Sequence, residues 1–122
     1  MIHRFEDLIA WQKARVLARD VYEITRQGAL RRDFRMGDEI RSASISVMPN
    51  IAEGFERGYR GGFHQFLTVA KGSCAEVRSL LYTAVDVQHI DMTTFDRMMP
   101  QAEEVARIIG GLRAAVERQR DG

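Results

Sequence analysis

Four separate segments of the chain repeat one apolar spacing, in steps of three and four residues. The first carries Ala10, Ala14, Leu17, Val21 and Ile24, and the second Met36, Ile40, Ala43, Val47 and Ile51. The third carries Phe63, Phe66/Leu67, Ala70, Cys74, Val77, Leu81 and Ala84; the fourth carries Phe95, Met99, Ala102, Ala106, Ile109, Leu112 and Val116. Such spacing lays a stripe along one side of an α-helix. No segment sustains the two-residue alternation of a strand. The stripes predict helices over about 7–27, 33–57, 62–89 and 94–118, each about 30 to 42 Å long at about 1.5 Å per residue.

The connections between these segments are short: Gly28 to Arg32, Gly58 to Gly62, and Ile90 to Thr93. Short connections make sequential helices antiparallel, so the expected fold is all-α, an antiparallel up-down-up-down four-helix bundle. At 122 residues the whole chain, 1–122, reads as one domain. Local signals refine the ends. Asp7 can begin the first helix near its positive end, and Gly28 suits the position past its last turn. Thr93 offers its hydroxyl to the amide of Asp96 as a cap for the fourth helix. Pro49 falls inside the second stripe and predicts a kink over Ile45 to Pro49. Gly110-Gly111 predicts fraying of the fourth helix after Leu112.

Charge and special residues exclude several functions. Eighteen basic against seventeen acidic residues leave a net charge of +1, which argues against a binder that works by bulk positive charge. Acidic Glu6 and Asp7 stand where a secretory signal needs an apolar run, and no stretch approaches a membrane span. The expected setting is cytoplasmic. Hydrolase, kinase, dinucleotide and phosphate-loop signatures are missing, and Gly58, Gly61 and Gly62 read as a helix–helix turn. His3, His64 and His89 lack ligand spacing and read as ordinary surface histidines. Cys74, the sole cysteine, falls on a core stripe and reads as a small hydrophobe. The expectation is no enzyme, no metal and no cofactor.

Three groups of residues stand out as candidate sites. Folding the second and third helices about Tyr59 brings Asn50 and Glu53 near Ser73, and Arg41 towards Glu76, which predicts a structural polar cluster. Arg15, Arg19 and Arg26 follow one side of the first helix, and Arg31, Arg32 and Arg35 gather beyond its end. Guanidinium forks match phosphate geometry, so this rim is the candidate nucleic-acid contact; a solvated charged face is the alternative. Trp11, Tyr22, Met48, Phe55 and Tyr59 lie off the core stripes. They predict an exposed aromatic surface for self-association.

Phe5-Glu6-Asp7-Leu8-Ile9-Ala10-Trp11-Gln12-Lys13-Ala14, Ile40-Arg41-Ser42-Ala43, Asn50-Ile51-Ala52-Glu53-Gly54, Phe63-His64-Gln65-Phe66-Leu67 and Ala70-Lys71-Gly72-Ser73-Cys74-Ala75-Glu76 follow a familiar order. Together they resemble the 23S rRNA-intervening sequence protein family of bacterial four-helix bundles. The resemblance implies a ring-like homopentamer. It also implies kinship with accessory proteins of diversity-generating retroelements, which associate with a reverse transcriptase and nucleic acid. Trp11, Arg41, Asn50, Glu53, Gly54, Gly72, Ser73 and Glu76 match the family's motif positions and carry over as architectural residues. Between the first two helices the family often has proline and acidic residues, where this chain has Gly28 to Asp33.

Two functions follow as expectations. The first is a non-enzymatic homo-oligomeric scaffold that binds RNA, or a nucleic-acid-binding protein such as a reverse transcriptase, through its arginine-rich rim. The second is a purely structural protein-interaction module with no nucleic acid.

Overall fold

The computed structural model describes residues 2–121, with side chains through residue 119. Four helices follow one another: α1 (Ile9–Thr25), α2 (Phe34–Glu56), α3 (Arg60–Asp86) and α4 (Met92–Asp121). Short 3-10 turns at Phe5–Asp7 and Gly28–Arg32 precede α1 and α2. Each helix packs on its neighbours in sequence, and α4 closes back against α1. The pairings run in opposite directions along the α2–α3 and α3–α4 seams. Ser46 meets Ser73 while Gly54 meets Phe63 and Phe66 across α2–α3. His64 meets Glu117 while Tyr82 meets Phe95 across α3–α4. The fold is an antiparallel four-helix bundle with its helices in chain order, and no strand occurs among the described residues.

The four stripes meet in one core. Leu17, Ile40, Ile51, Leu67, Leu81 and Ile109 are fully enclosed, and Ala14, Val21, Val47, Ala70, Cys74, Val77 and Ala102 lie between them. The buried band is wider than the stripes alone, taking in Ala18, Met98 and Val105. A globular bundle buries an arc of about 100° or more of each helix, and residues flanking the central line share it.

Helix ends differ from the expected ones in instructive ways. Asp7 does not begin α1. It closes the preceding 3-10 turn, and α1 starts at Ile9 with Leu8 as an uncapped N-cap. Thr93 is not the cap of α4, which starts one residue earlier at Met92. The side chain of Asp91 accepts from the amide of Thr94 at 2.8 Å, taking the role assigned to Thr93. Gly61 and Gly62 belong to the first turn of α3; the sharp bend needs only Gly58, at φ +75°. Gln88 takes the same left-handed geometry at φ 62° after α3, with the amide of His89 donating to the carbonyl of Ala84 at 2.8 Å.

Neither proline breaks its helix. Pro49 in α2 and Pro100 in α4 are both exposed, so each ring lies on the outer side of its helix, away from the core. The fourth helix does not stop after Leu112 but continues to Asp121, passing straight through Gly110-Gly111. Gly110 lies against Lys71 of α3, so packing holds the helix where propensity alone predicts fraying.

The two acidic caps give stability a defined acid limb. Asp33 accepts from the amide of Met36 at 3.1 Å, and that bond, followed by the contact with His89, holds its carboxyl below the ordinary range. Asp91 is lowered in the same direction by the Thr94 backbone and side chain. Each lowered value means stabilisation fully present above the unfolded pKa of about 3.9 and lost as pH falls through the folded value. The thermal midpoint should therefore drop as pH is lowered below about 4. The Asp33→Asn/Asp91→Asn double variant, which keeps both acceptors neutral, should show a shallower acid limb in the same pH series of melts. An unchanged limb would refute the assignment.

Candidate functional site

The polar seam between α2 and α3 forms around Ser46. Its hydroxyl lies 2.6 Å from the hydroxyl of Ser73, and the Asn50 amide donates to the Ser46 carbonyl at 2.6 Å and the Ser46 hydroxyl at 3.4 Å. Asn50 and Ser73 thus share one small network, as the hairpin geometry anticipates. The other three predicted members stay outside it. Arg41 pairs with Asp38 one turn earlier on its own helix and turns towards α1, where it lies 5.9 Å from the Tyr22 ring centre. Glu53 is exposed and pairs with Arg57 at 3.0 Å. Glu76 is exposed on α3. The cause is rotation: at about 100° per residue, Arg41 and Asn50 lie on opposite flanks of α2. Ser46 was legible from its position four residues before Asn50, on the same side of the helix.

The arginine rim divides into engaged and free groups. Arg19 pairs with Asp20 at 3.3 Å, Arg26 with Glu23 at 3.7 Å and Arg35 with Glu39 at 3.2 Å. Arg15 lies 5.8 Å from the Trp11 ring centre. Arg31 and Arg32, on the 3-10 turn before α2, are exposed and form no ion pair among the described residues. Exposed pairs contribute little, roughly 0 to 1 kcal/mol. They nonetheless set a carboxylate beside each of these guanidinium groups, which opposes an incoming phosphate.

The predicted aromatic surface is mostly tucked in. Trp11 stands edge-on to Phe5 at 5.4 Å, and Phe55 to Phe63 at 5.9 Å. Trp11, Met48 and Phe55 pack against the core as its half-buried margin, and Tyr22 is half-buried beneath Arg41. Of the five, only Tyr59 is well exposed. The off-stripe residues on α1 and α2 flank the stripe rather than oppose it, so the neighbouring helix covers them. Genuinely exposed apolar side chains lie elsewhere: Phe34, 77% exposed, with Ile9, Met92, Tyr82, Val69 and Val87.

Cys74 is sealed in the core, and burial pushes its thiol up to about 11, which removes the thiolate a nucleophile needs. His89 contacts Asp33 at 3.0 Å, tying the α3–α4 turn to the cap of α2, and His64 contacts Glu117 at 2.8 Å. No group of three His, Cys, Asp or Glu side chains among the described residues could hold a metal ion. No helix among them is long and apolar enough to cross a membrane. The α2–α3 end of the bundle holds an open apolar cavity of about 430 Å³, walled by Leu8, Phe55, Tyr59, Phe63, Leu112 and Val116.

Comparison with known proteins places this architecture. In structure the chain is similar to a protein of unknown function from the S23 ribosomal protein family of Bacteroides thetaiotaomicron, with a TM-score of 0.79. The two are 17% identical over 86% of this chain and 98% of that one, a likeness of fold. No curated protein matches the chain. The family model for the 23S rRNA-intervening sequence protein matches residues 6–111, which span the polar seam, the arginine rim and the core of all four helices. The chain belongs to the 23S rRNA-intervening sequence protein family.

Proposed function

We propose that the chain is a non-enzymatic subunit of a homo-oligomeric scaffold that binds RNA, or a nucleic-acid-binding protein, at the bundle end carrying the α1–α2 turn. The state of Arg31 and Arg32 carries this reading. Both are exposed with no ion pair among the described residues, while Arg19, Arg26 and Arg35 hold carboxylates. A free guanidinium keeps its planar fork for phosphate. The non-enzymatic part is supported by where the shifted titrations fall. Asp33 and Asp91 cap helices, Glu6 pairs with Arg4, and Cys74 is sealed, so the perturbed groups hold structure. Exposed Phe34, Ile9 and Tyr59 support self-association, and the family resemblance suggests a pentamer. The same resemblance makes a reverse transcriptase the protein partner to try first.

A protein-interaction module without nucleic acid is the second reading, favoured by the paired state of Arg19, Arg26 and Arg35. Anisotropy with a labelled single-stranded RNA separates the two. Binding should weaken with salt, and Arg31→Glu/Arg32→Glu should reduce the log–log salt slope by about 1.4, at about 0.7 for each lost phosphate contact. Light scattering should give a mass well above one 13.9 kDa subunit. Absent or salt-independent binding sinks the RNA reading, and a monomeric mass sinks the scaffold.

A further inference from the structure

His64, Lys71 and Arg78 stand seven residues apart on α3 and share the side that faces α4. His64 Nε2 lies 2.8 Å from Glu117 Oε2 there. Lys71 and Arg78 are half-buried, yet neither has an ion pair among the described residues. The Lys71 stem crosses Gly110 of α4, where an added Cβ would sit 3.4 Å from its Cε. The Nε of Arg78 is buried with no hydrogen-bond partner. A buried donor left unmade is costly, and an anion drawn to this guanidinium would supply the missing acceptor. Arg107 stands exposed on the facing helix, close to this register. One turn beyond Arg78, Tyr82 is 56% exposed, its ring braced 5.3 Å from Phe95.

We propose that the groove between α3 and α4 holds single-stranded RNA, with Lys71 and Arg78 each taking a backbone phosphate and Tyr82 stacking under a base. This rests on the reading that the chain binds RNA, and extends the contact from the rim into the groove. Seven residues place Lys71 and Arg78 about 10.5 Å apart along the helix. Their partly buried stems keep the two heads from converging on one phosphate, so a chain of phosphates fits better than a single anion. An exposed, braced aromatic ring beside a cationic line is the combination that binds single strands without sequence preference.

Anisotropy of a short labelled oligouridine across a salt series tests the groove, because its two parts have different signatures. Lys71→Gln/Arg78→Gln should lower the log–log salt slope by about 1.4. Tyr82→Ala should weaken binding roughly tenfold at every salt concentration and leave the slope alone. Should the Arg78 change prevent folding, judged by circular dichroism, Lys71→Gln/Arg107→Gln replaces it with the same expected direction. If the wild-type chain binds and these variants match it in slope and affinity, the groove is not the track and the rim reading survives. If the wild-type chain binds no RNA, the reading and the groove fall together. Poly-glutamate bound as tightly as oligouridine overturns the RNA assignment in favour of an acidic protein.

Discussion

Replacing Leu17 by alanine should destabilise the bundle by about 3 kcal/mol, within the 2 to 5 kcal/mol range for such truncations. Leu17 is fully enclosed at the middle of α1, the shortest of the four helices. The buried face of α1 is otherwise rich in small side chains: Ala10, Ala14 and Ala18 lie beside it. Truncation would leave four alanines in succession on that face, with only Val21 and Ile24 as large aliphatic groups to hold α1 against α2 and α4. Small neighbours cannot reach into the space, so the cavity should persist and the cost should sit well above the transfer term alone. Urea unfolding should show a lowered midpoint with an unchanged slope, and the thermal midpoint should fall by roughly 10 °C or more. Leu17→Met, which conserves volume, should cost less than about 1.5 kcal/mol. A loss below about 1 kcal/mol for the alanine variant would show that the site collapses freely.

The second large effect has a sign that helix propensity alone predicts wrongly. Glycine in a helix interior is about 1 kcal/mol worse than alanine, so Gly54→Ala should stabilise α2 on that ground. At this position, however, an added Cβ would stand 2.7 Å from the Cβ of Phe66 and 3.1 Å from the ring of Phe63. A Cβ cannot swing aside without its backbone, so α2 and α3 must separate. Overpacking of this kind costs about 1 to 3 kcal/mol and outweighs the propensity gain. Gly54→Ala should thus lower stability. Gly72→Ala and Gly111→Ala, where nothing lies within 4 Å of the new Cβ, should raise it by up to about 1 kcal/mol each. Melting curves of the three variants decide the matter, and a stabilised Gly54→Ala would refute the close approach.

The core was legible because apolar spacing and helix period are the same information. Leu17, Ile40, Cys74 and Ile109 stand on the predicted stripes and in the observed core. Direction around the helix was harder to read. Arg41, Asn50 and Glu53 share a polar neighbourhood in sequence, yet rotation sends Arg41 to Tyr22, Glu53 to Arg57 and only Asn50 to the α2–α3 seam. The half-buried state of Trp11, Tyr22, Met48 and Phe55 escaped for a related reason. A stripe drawn as one line understates how far the neighbouring helix reaches around the cylinder. Ends depended on competition between adjacent caps: Asp91 and Thr93 both qualify, and Asp91 prevails, its carboxylate receiving the amide of Thr94 at 2.8 Å. The lack of a partner for Arg78 Nε could not be seen in one dimension, since it depends on what surrounds the side chain in the folded bundle.

One consequence of the sealed cysteine reaches beyond packing. Because the chain has a single thiol and that thiol lies in the central layer, its chemistry is a clock for breathing of the whole bundle. An aromatic disulfide reagent sees Cys74 only after α3 has parted from its neighbours. The labelling rate then measures how often the native assembly opens, without any engineered probe. Ligands or partner subunits that clamp the helices together would slow that clock, so the same unmodified residue reports on whatever this bundle binds.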